Sequence, residues 1–362
     1  MTDVKSPFSL DSYLADLAPL INLDCGTRTP AGVARVADIM TEKYQAIGWQ
    51  VTRHQFAPEC GPCLEATNAP GADHYDVMLC GHMDTVFPEG TAAKRPLSIE
   101  GNQAFGPGVS DMKSGLLSIW YALKEMDPAQ LAKLKVLVCC NCDEEVGSPW
   151  SKDWLVEKAK QSGCVLVAEA ARPNGDLISA RKGNAKYRIR FHGKASHAGS
   201  ALSEGISAIT ELAHWVLAIN DQVNLETGTT MNVGVVQGGT GVNVVPDFAE
   251  AIVDLRFWRN EEAAVVHERL GFMANNPFLA GCRVEVDRQA FKPAMRPSGD
   301  TEALMALVEA AAWRRGSPST GWRQVAVRMP TSPPPRACRR WMASAPWVAA
   351  STRRPNSCCS TA

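Results

Sequence analysis

Four short segments carry acidic and imidazole side chains in a pattern suited to holding a divalent metal. Gly81-His82-Met83-Asp84-Thr85-Val86 sets a carboxylate close behind a histidine, and Gly106-Pro107-Gly108-Val109-Ser110-Asp111 ends a glycine-rich turn in an acid. Asp143-Glu144-Glu145 places acids in a row, and Glu169 follows a third apolar run. Each has an ordinary structural use. A His-x-Asp often satisfies a core hydrogen bond, Asp111 alone would cap a helix, Glu144-Glu145 would suit a solvated loop, and Glu169 a strand end. Taken together they point elsewhere. Converging Asp, Glu and His repel one another, and one divalent cation or a pair relieves that cost.

Three apolar runs would position these groups: Asp76-Val77-Met78-Leu79-Cys80, Lys135-Val136-Leu137-Val138-Cys139-Cys140 and Val165-Leu166-Val167-Ala168. All read as buried strands that run into the acids. Residues 11–55 begin as amphipathic helix and end in a short strand at Trp49-Gln50-Val51-Thr52. Met112 to Met126 carries Leu116, Ile119, Trp120, Leu123 and Met126 at helical spacing, and Trp154 to Gln161 supplies another helix. Strands alternating with helices predict an α/β domain with a mixed, mostly parallel sheet and helices on both faces. In such a sheet sites form beyond the carboxyl ends of the strands.

The pattern changes near Lys182, where Tyr187, Ile189 and Phe191 alternate with Arg188, Arg190 and His192. One face of that strand is wet. A helix near 204–219, strands near 230–237 and 246–257, a helix from Glu261 to Asn275 and a strand from Cys282 to Asp287 follow. This β-α-β-β-α-β order fits a ferredoxin-like α+β module inserted over 182–292. It interrupts the first domain, which spans 1–181 and 293–362, with Asp300 expected to cap a helix over 301–312.

The chain has 362 residues, 45% apolar and 21% charged, enough for two domains with a sizeable core. A net charge of −1 speaks against a nucleic-acid partner. No apolar run approaches the ~20 residues needed to span a bilayer. The opening residues lack signal-peptide features, so a cytoplasmic protein with reduced thiols is expected. Cys60-Gly61-Pro62-Cys63 is a CxxC without a second pair at zinc-finger spacing, and Cys139, Cys140 and Cys142 read as packing residues.

On these motifs, extended by Asp111-Met112-Lys113-Ser114-Gly115 and Gly193-Lys194-Ala195-Ser196-His197-Ala198-Gly199, the sequence resembles a di-zinc metallopeptidase family. That family includes carboxypeptidase G, aminoacylase, acetylornithine deacetylase and succinyl-diaminopimelate desuccinylase, and the glutamate carboxypeptidase branch looks most similar. The likeness covers roughly 10–312. It implies His82 and Glu169 on one zinc, Glu145 on the other, and Asp111 bridging two metals ~3.5–4 Å apart. Asp84 would accept the second imidazole N–H and fix its tautomer, and Glu144 would be the general base. His197, otherwise a structural histidine, becomes the oxyanion donor. Arg256, otherwise a surface charge, becomes the clamp on a substrate carboxylate, with Asn243 a further carboxylate or oxyanion contact. The inserted module becomes a lid and dimerisation domain on a catalytic domain, a homodimer through it is implied, and Mn²⁺ or Co²⁺ would suit the same ligands.

The resulting expectation is hydrolysis of an amide next to a free carboxylate, releasing a C-terminal amino acid, Glu foremost, from small peptides or N-acyl amino acids. Selectivity for Glu needs a further cation, and the stretch after Glu169 offers Asp176, with Arg181 and Lys182 nearby. The alternatives are an N-acyl-amino-acid deacylase and a non-catalytic homologue, against which the presence of Glu144 argues. From Trp313 to Ala362 the composition is foreign: nine Arg, no Lys, Asp, Glu or His, and no Leu, Ile, Phe or Tyr. Of the 37 basic residues, 28 therefore stand against 38 acidic ones in positions 1–312, a net of −10. The last histidine is His267, whereas the resemblance calls for a metal-ligating His in the C-terminal segment. A coding sequence read in a shifted frame accounts for both features, and impaired activity follows. A disordered basic tail is the alternative.

Overall fold

The computed structural model describes residues 8–170 and 177–314, and beyond them only the backbone of short strands at Trp322–Ala326, Arg339–Met342, Val348–Ala349 and Ser357–Ser360. Asp176 and most of the compositionally foreign segment lie outside the described residues. The chain divides into two compact units. One comprises Met1–Ser179, Pro297–Arg323 and Pro334–Ala362, the other Ala180–Arg296 and Gln324–Pro333.

The first unit opens with helices α1 (Leu10–Ile21) and α2 (Pro30–Ala46). Ser9 caps α1 by accepting from the Ser12 amide, and Pro30 starts α2 where a missing N–H costs nothing. Strands β1 (Gln50–His54), β2 (Cys63–Thr67), β3 (Tyr75–His82), β4 (Val136–Asn141) and β5 (Ser162–Val167) form its sheet, with helix α3 (Ser114–Glu125) after β3 and α4 (Lys152–Lys160) after β4. The order is β1-β2-β4-β3-β5. β3 is parallel to both β4 and β5, whereas β2 meets β1 and β4 antiparallel. Every residue of β4 is buried, as a central strand covered on both faces requires. Leu17 and Leu20 of α1, Val33 and Met40 of α2, and Leu116 and Leu117 of α3 share one core with the sheet. Burying each such side chain contributes about 1.5–3 kcal/mol.

The second unit holds β6 (Leu177–His192, which begins in the first), α5 (Ala208–Asn220), β7 (Thr230–Gly238), β8 (Phe248–Phe257), α6 (Asn260–Asn275) and β9 (Arg283–Lys292). All pairings are antiparallel, in the order β9-β6-β8-β7. Tyr187, Ile189 and Phe191 are buried with Trp215 of α5 and Leu270 of α6. Arg188 and Arg190 instead lie beside Glu250 on the opposite face. This is the expected ferredoxin-like α+β module.

Two expectations need correction. The helix expected from Met112 starts at Ser114, because Val109–Lys113 form a wider turn in which Asp111 and Met112 are non-helical. The last described helix, α7, runs Gly299–Arg314, and Ser298, rather than Asp300, caps it: the Ser298 hydroxyl oxygen accepts from the Thr301 amide at 3.3 Å. No described helix is long and apolar enough to cross a membrane.

Candidate metal centre

The parallel strands β4, β3 and β5 deliver the acids to one end of the sheet. β3 ends on His82, β4 ends on Asn141 just before Asp143-Glu144-Glu145, and Glu169 follows β5. The Gly106–Ser110 turn brings Asp111 to the same place. One donor atom each from His82, Asp111 and Glu145 lies within 4.8 Å of the others. From His82 Nε2, Asp111 Oδ1 is 3.0 Å away, Glu169 Oε1 3.4 Å and Glu144 Oε2 4.0 Å.

The imidazole is fully buried and its Nδ1 lies 2.9 Å from the main-chain oxygen of Asp84. A carbonyl only accepts, so Nδ1 carries the proton and Nε2 is the nitrogen turned toward the acids. The Asp84 carboxylate stands farther from Nδ1, at 3.3 Å. It is within reach of the imidazole, as expected, and it also braces a second loop. Oδ1 accepts from the Glu144 amide at 3.1 Å, and Oδ2 accepts from the Glu145 amide at 3.2 Å and the Thr27 hydroxyl at 2.6 Å. Burial opposes the charge of Asp84, but the His82 imidazole, the Thr27 hydroxyl and the Glu145 amide outweigh it and keep its carboxyl below the ordinary value.

The other acids behave in the opposite way. Burial, with Glu169 and Asp111 adding repulsion, pushes the Glu144 carboxyl up to about 7 despite His82. Burial, with Asp111 and Glu144, pushes Glu145 up to about 8. Burial disfavours the imidazolium of His82, yet Glu169, Asp111 and Asp84 raise it well above the usual histidine range. An all-nitrogen-and-oxygen donor set crowded with like charge, and a histidine that keeps its Nδ1 proton on a carbonyl while a cation could displace the proton at Nε2, fit a divalent cation.

Asp143, Gly115 and Thr27 brace these groups. Asp143, fully buried, accepts from the Trp150 and Ser151 amides at 2.8 and 3.1 Å and so folds the loop after Glu145 back on itself. Gly115 lets α3 approach β5: a Cβ there would fall 2.0 Å from the Ala168 oxygen, next to Glu169. Its place in Ser114-Gly115 was the available signal. Thr27 had none beyond its type, since its partner Asp84 is 57 residues away.

The remaining candidates belong to the second unit. Ser196–His197 pairs antiparallel with Val244–Val245, and the Ala198 amide donates to the Asn243 carbonyl at 2.9 Å, so His197 and Asn243 are neighbours on the surface. His197 Nδ1 accepts from the Gly199 and Ser200 amides at 3.1 and 3.2 Å. The neutral ring therefore carries its proton on Nε2, leaving a donor facing outward. Arg256 lies on β8 opposite Asn184 and Thr230. Its Nε donates to Asp254 at 2.6 Å, while Nη1 is buried without a hydrogen-bond partner. Lys182 donates to the Gly228 carbonyl and lies 5.7 Å from the Trp258 ring centre, so its ammonium is already engaged. Cys60 and Cys63 are buried free thiols, and Cys63 Sγ is 3.5 Å from Cys142 Sγ.

Comparison with known proteins agrees with this architecture. The description of the M20 peptidase dimerisation domain matches residues 179–282. Carboxypeptidase G2 of Pseudomonas sp. (strain RS-16) is 30% identical over 285 residues, 78% of this chain and 69% of the relative. Acetylornithine deacetylase of Pectobacterium carotovorum subsp. carotovorum (strain PC1) is 27% identical over 195 residues, and the alignment spans half of each protein. Aminopeptidase PepT from Bacillus cereus shares the fold, with a TM-score of 0.76 at 20% identity over 97% of this chain and 94% of that one.

Proposed function

The chain belongs to the M20 metallopeptidase family, and on that premise we propose that it is a zinc-dependent hydrolase of amides adjoining a free carboxylate. Its product would be a C-terminal amino acid, glutamate foremost. The convergence of His82, Asp111 and Glu145, with Glu144 and Glu169 beside them, carries this reading. His82 and Glu169 would hold one zinc, Glu145 the second, and Asp111 both. Bound zinc supplies Lewis-acid polarisation of the scissile carbonyl and acidifies water toward ~7. Mn²⁺ or Co²⁺ would serve the same donors.

Glu144 takes a proton from water and returns it to the leaving amine. Asp84 holds the main chain of Glu144 and Glu145 in register for this. His197 donates from Nε2 to the developing oxyanion, where such a donor is worth about 2.7–4 kcal/mol. The unpaired Nη1 of Arg256 supports its role as the clamp on the substrate carboxylate, and Asn243 lies beside His197 as a second polar contact. The match of the second unit to a dimerisation domain supports a homodimer formed through it. A cytoplasmic location completes the reading.

The relationship to acetylornithine deacetylase supports a second reading, removal of the acyl group from an N-acyl amino acid by the same groups. Zinc-loaded protein incubated with folyl-glutamate and with N-acetyl amino acids, followed by product chromatography, separates the two. Released glutamate supports the first, released acetate alone the second, and neither product overturns both.

The segment from Trp313 onward is proposed to derive from a shifted reading frame, which would leave one metal site short of its histidine ligand, weaken zinc occupancy and impair turnover. Its composition supports this, and so does α7, in which Thr301 is the only buried residue while Leu307 and Trp313 are exposed. A coding sequence with no alternative frame restoring Leu, Asp and a late His refutes it.

A further inference from the structure

We infer that Thr27 is a positioning residue of the metal centre, holding the Asp84 carboxylate in the orientation that carries Glu144 and Glu145 by their main-chain amides. This rests on the hydrolase reading for its consequence and on geometry alone for its structural part. Thr27 lies in the connection between α1 and α2, remote in sequence from every acid of the site. Its side chain is nevertheless buried, 5% exposed, and its hydroxyl gives Asp84 Oδ2 a 2.6 Å hydrogen bond. That is the shortest of the bonds to this carboxylate. The amides of Glu144 and Glu145 approach at 3.1 and 3.2 Å, one on each oxygen.

The backbone of this connection is fixed independently of the hydroxyl. The Thr85 amide donates to the Cys25 carbonyl at 3.0 Å, and the Thr27 amide donates to the Thr85 carbonyl at 3.3 Å. Residues 25–27 are thus strapped to the turn that follows His82. Nearby, Asp24 accepts from the Gly90 and Ala92 amides at 2.7 and 2.8 Å, anchoring the same connection from the other side. Removing the hydroxyl therefore leaves the threonine backbone where it is. It deprives a fully buried carboxylate of its best donor, and a buried acceptor left short of donors reorients toward whatever donors remain. The groups displaced are the base and one ligand, both tethered to Asp84.

The test uses the full chain with Thr27→Val, which removes the hydroxyl, and Thr27→Ser, which keeps it. In the metal-free protein, hydrogen exchange of the peptide containing Glu144 and Glu145 should quicken in T27V and stay at the wild-type rate in T27S. Zinc titration by calorimetry should show affinity weakened about 10–100-fold in T27V, the range for residues that orient metal ligands through another group. Turnover should fall through kcat with KM little changed, and serine should restore it. Exchange unaltered in T27V, or equal losses in both variants, overturns the assignment. Should T27V fail to fold, T27A, which leaves the same oxygen without its donor, is read in its place. A wild-type protein that hydrolyses nothing would sink the functional reading, while exchange and zinc titration would still decide the role of Thr27.

Discussion

The polar groups of the two units are held by opposite means. In the first unit, His82, Asp84 and Asp143 are fully buried and fixed by main-chain donors and acceptors, so their geometry exists before any ligand arrives. In the second, His197 and Asn243 are exposed on a two-residue pairing, and Arg256 leans on a single aspartate. The difference is one of support: groups placed to within fractions of an ångström sit at strand ends in a packed sheet, whereas the candidate residues of the second unit stand on a surface that can adapt.

The largest expected effect breaks the first half of this comparison. Glu144→Gln should keep zinc binding and lose about 10²–10⁴-fold in kcat, because proton transfer alone is removed. Calorimetry beside an amidase assay checks it, and undiminished turnover removes Glu144 from the reaction. Zinc itself comes next. At a hundredfold its dissociation constant it should stabilise the folded chain by about 2.7 kcal/mol, read as a rise in Tm that His82→Ala abolishes. A smaller effect belongs to the second unit. Arg256→Ala should raise KM for carboxylate-bearing substrates by the equivalent of about 1.5–3 kcal/mol with kcat little changed. If kcat collapses instead, the second unit is as tightly coupled to the chemistry as the first.

Much of the site was legible because β3, β4 and β5 are short apolar runs whose ends are acids, and parallel strands bring their ends together. The second unit's wet and dry faces were legible from Tyr187 to His192 for the same kind of reason, a period of two. The turn at Val109–Lys113 was not. A helical pattern that starts at Leu116 says nothing of how the chain enters it, and Asp111 looks like an ordinary helix entry. The bracing by Thr27 escaped because a hydrogen bond between distant segments leaves no periodicity, and that by Asp143 because a loop closed on its own carboxylate leaves none either. The Asp84 role was half legible: spacing placed it beside His82, but the amides it accepts come from a different loop.

The smallest expected effect tests whether the tighter anchoring of the first unit extends beyond its site. Glu65 on β2 accepts from Lys158 at 2.9 Å and lies 2.9 Å from His54 Nε2, with its side chain 12% exposed. Burial raises its carboxyl, but Lys158 and His54 prevail and hold it below the ordinary value of 4.5. A depressed folded-state pKa stabilises the native chain at pH values above the unfolded one, and that contribution is lost as pH falls through the folded value. Glu65→Gln should therefore cost about 1–2 kcal/mol at neutral pH. The gap from wild type should close in acid, below 4.5, as the wild-type carboxyl protonates. In the second unit, Glu250 is about as buried as Glu65, its side chain 13% exposed, and accepts from Gln237 at 3.1 Å, but it meets Arg188 and Arg190 at 3.7 and 3.4 Å and those arginines remain partly exposed. Glu250→Gln should cost less, about 0–1 kcal/mol, because its ion pairs are long and its arginines partly solvated, and added salt should weaken the effect. Urea denaturation of both variants at neutral and acid pH makes the comparison, and an equal or larger loss for Glu250 would place the better-anchored charges in the second unit.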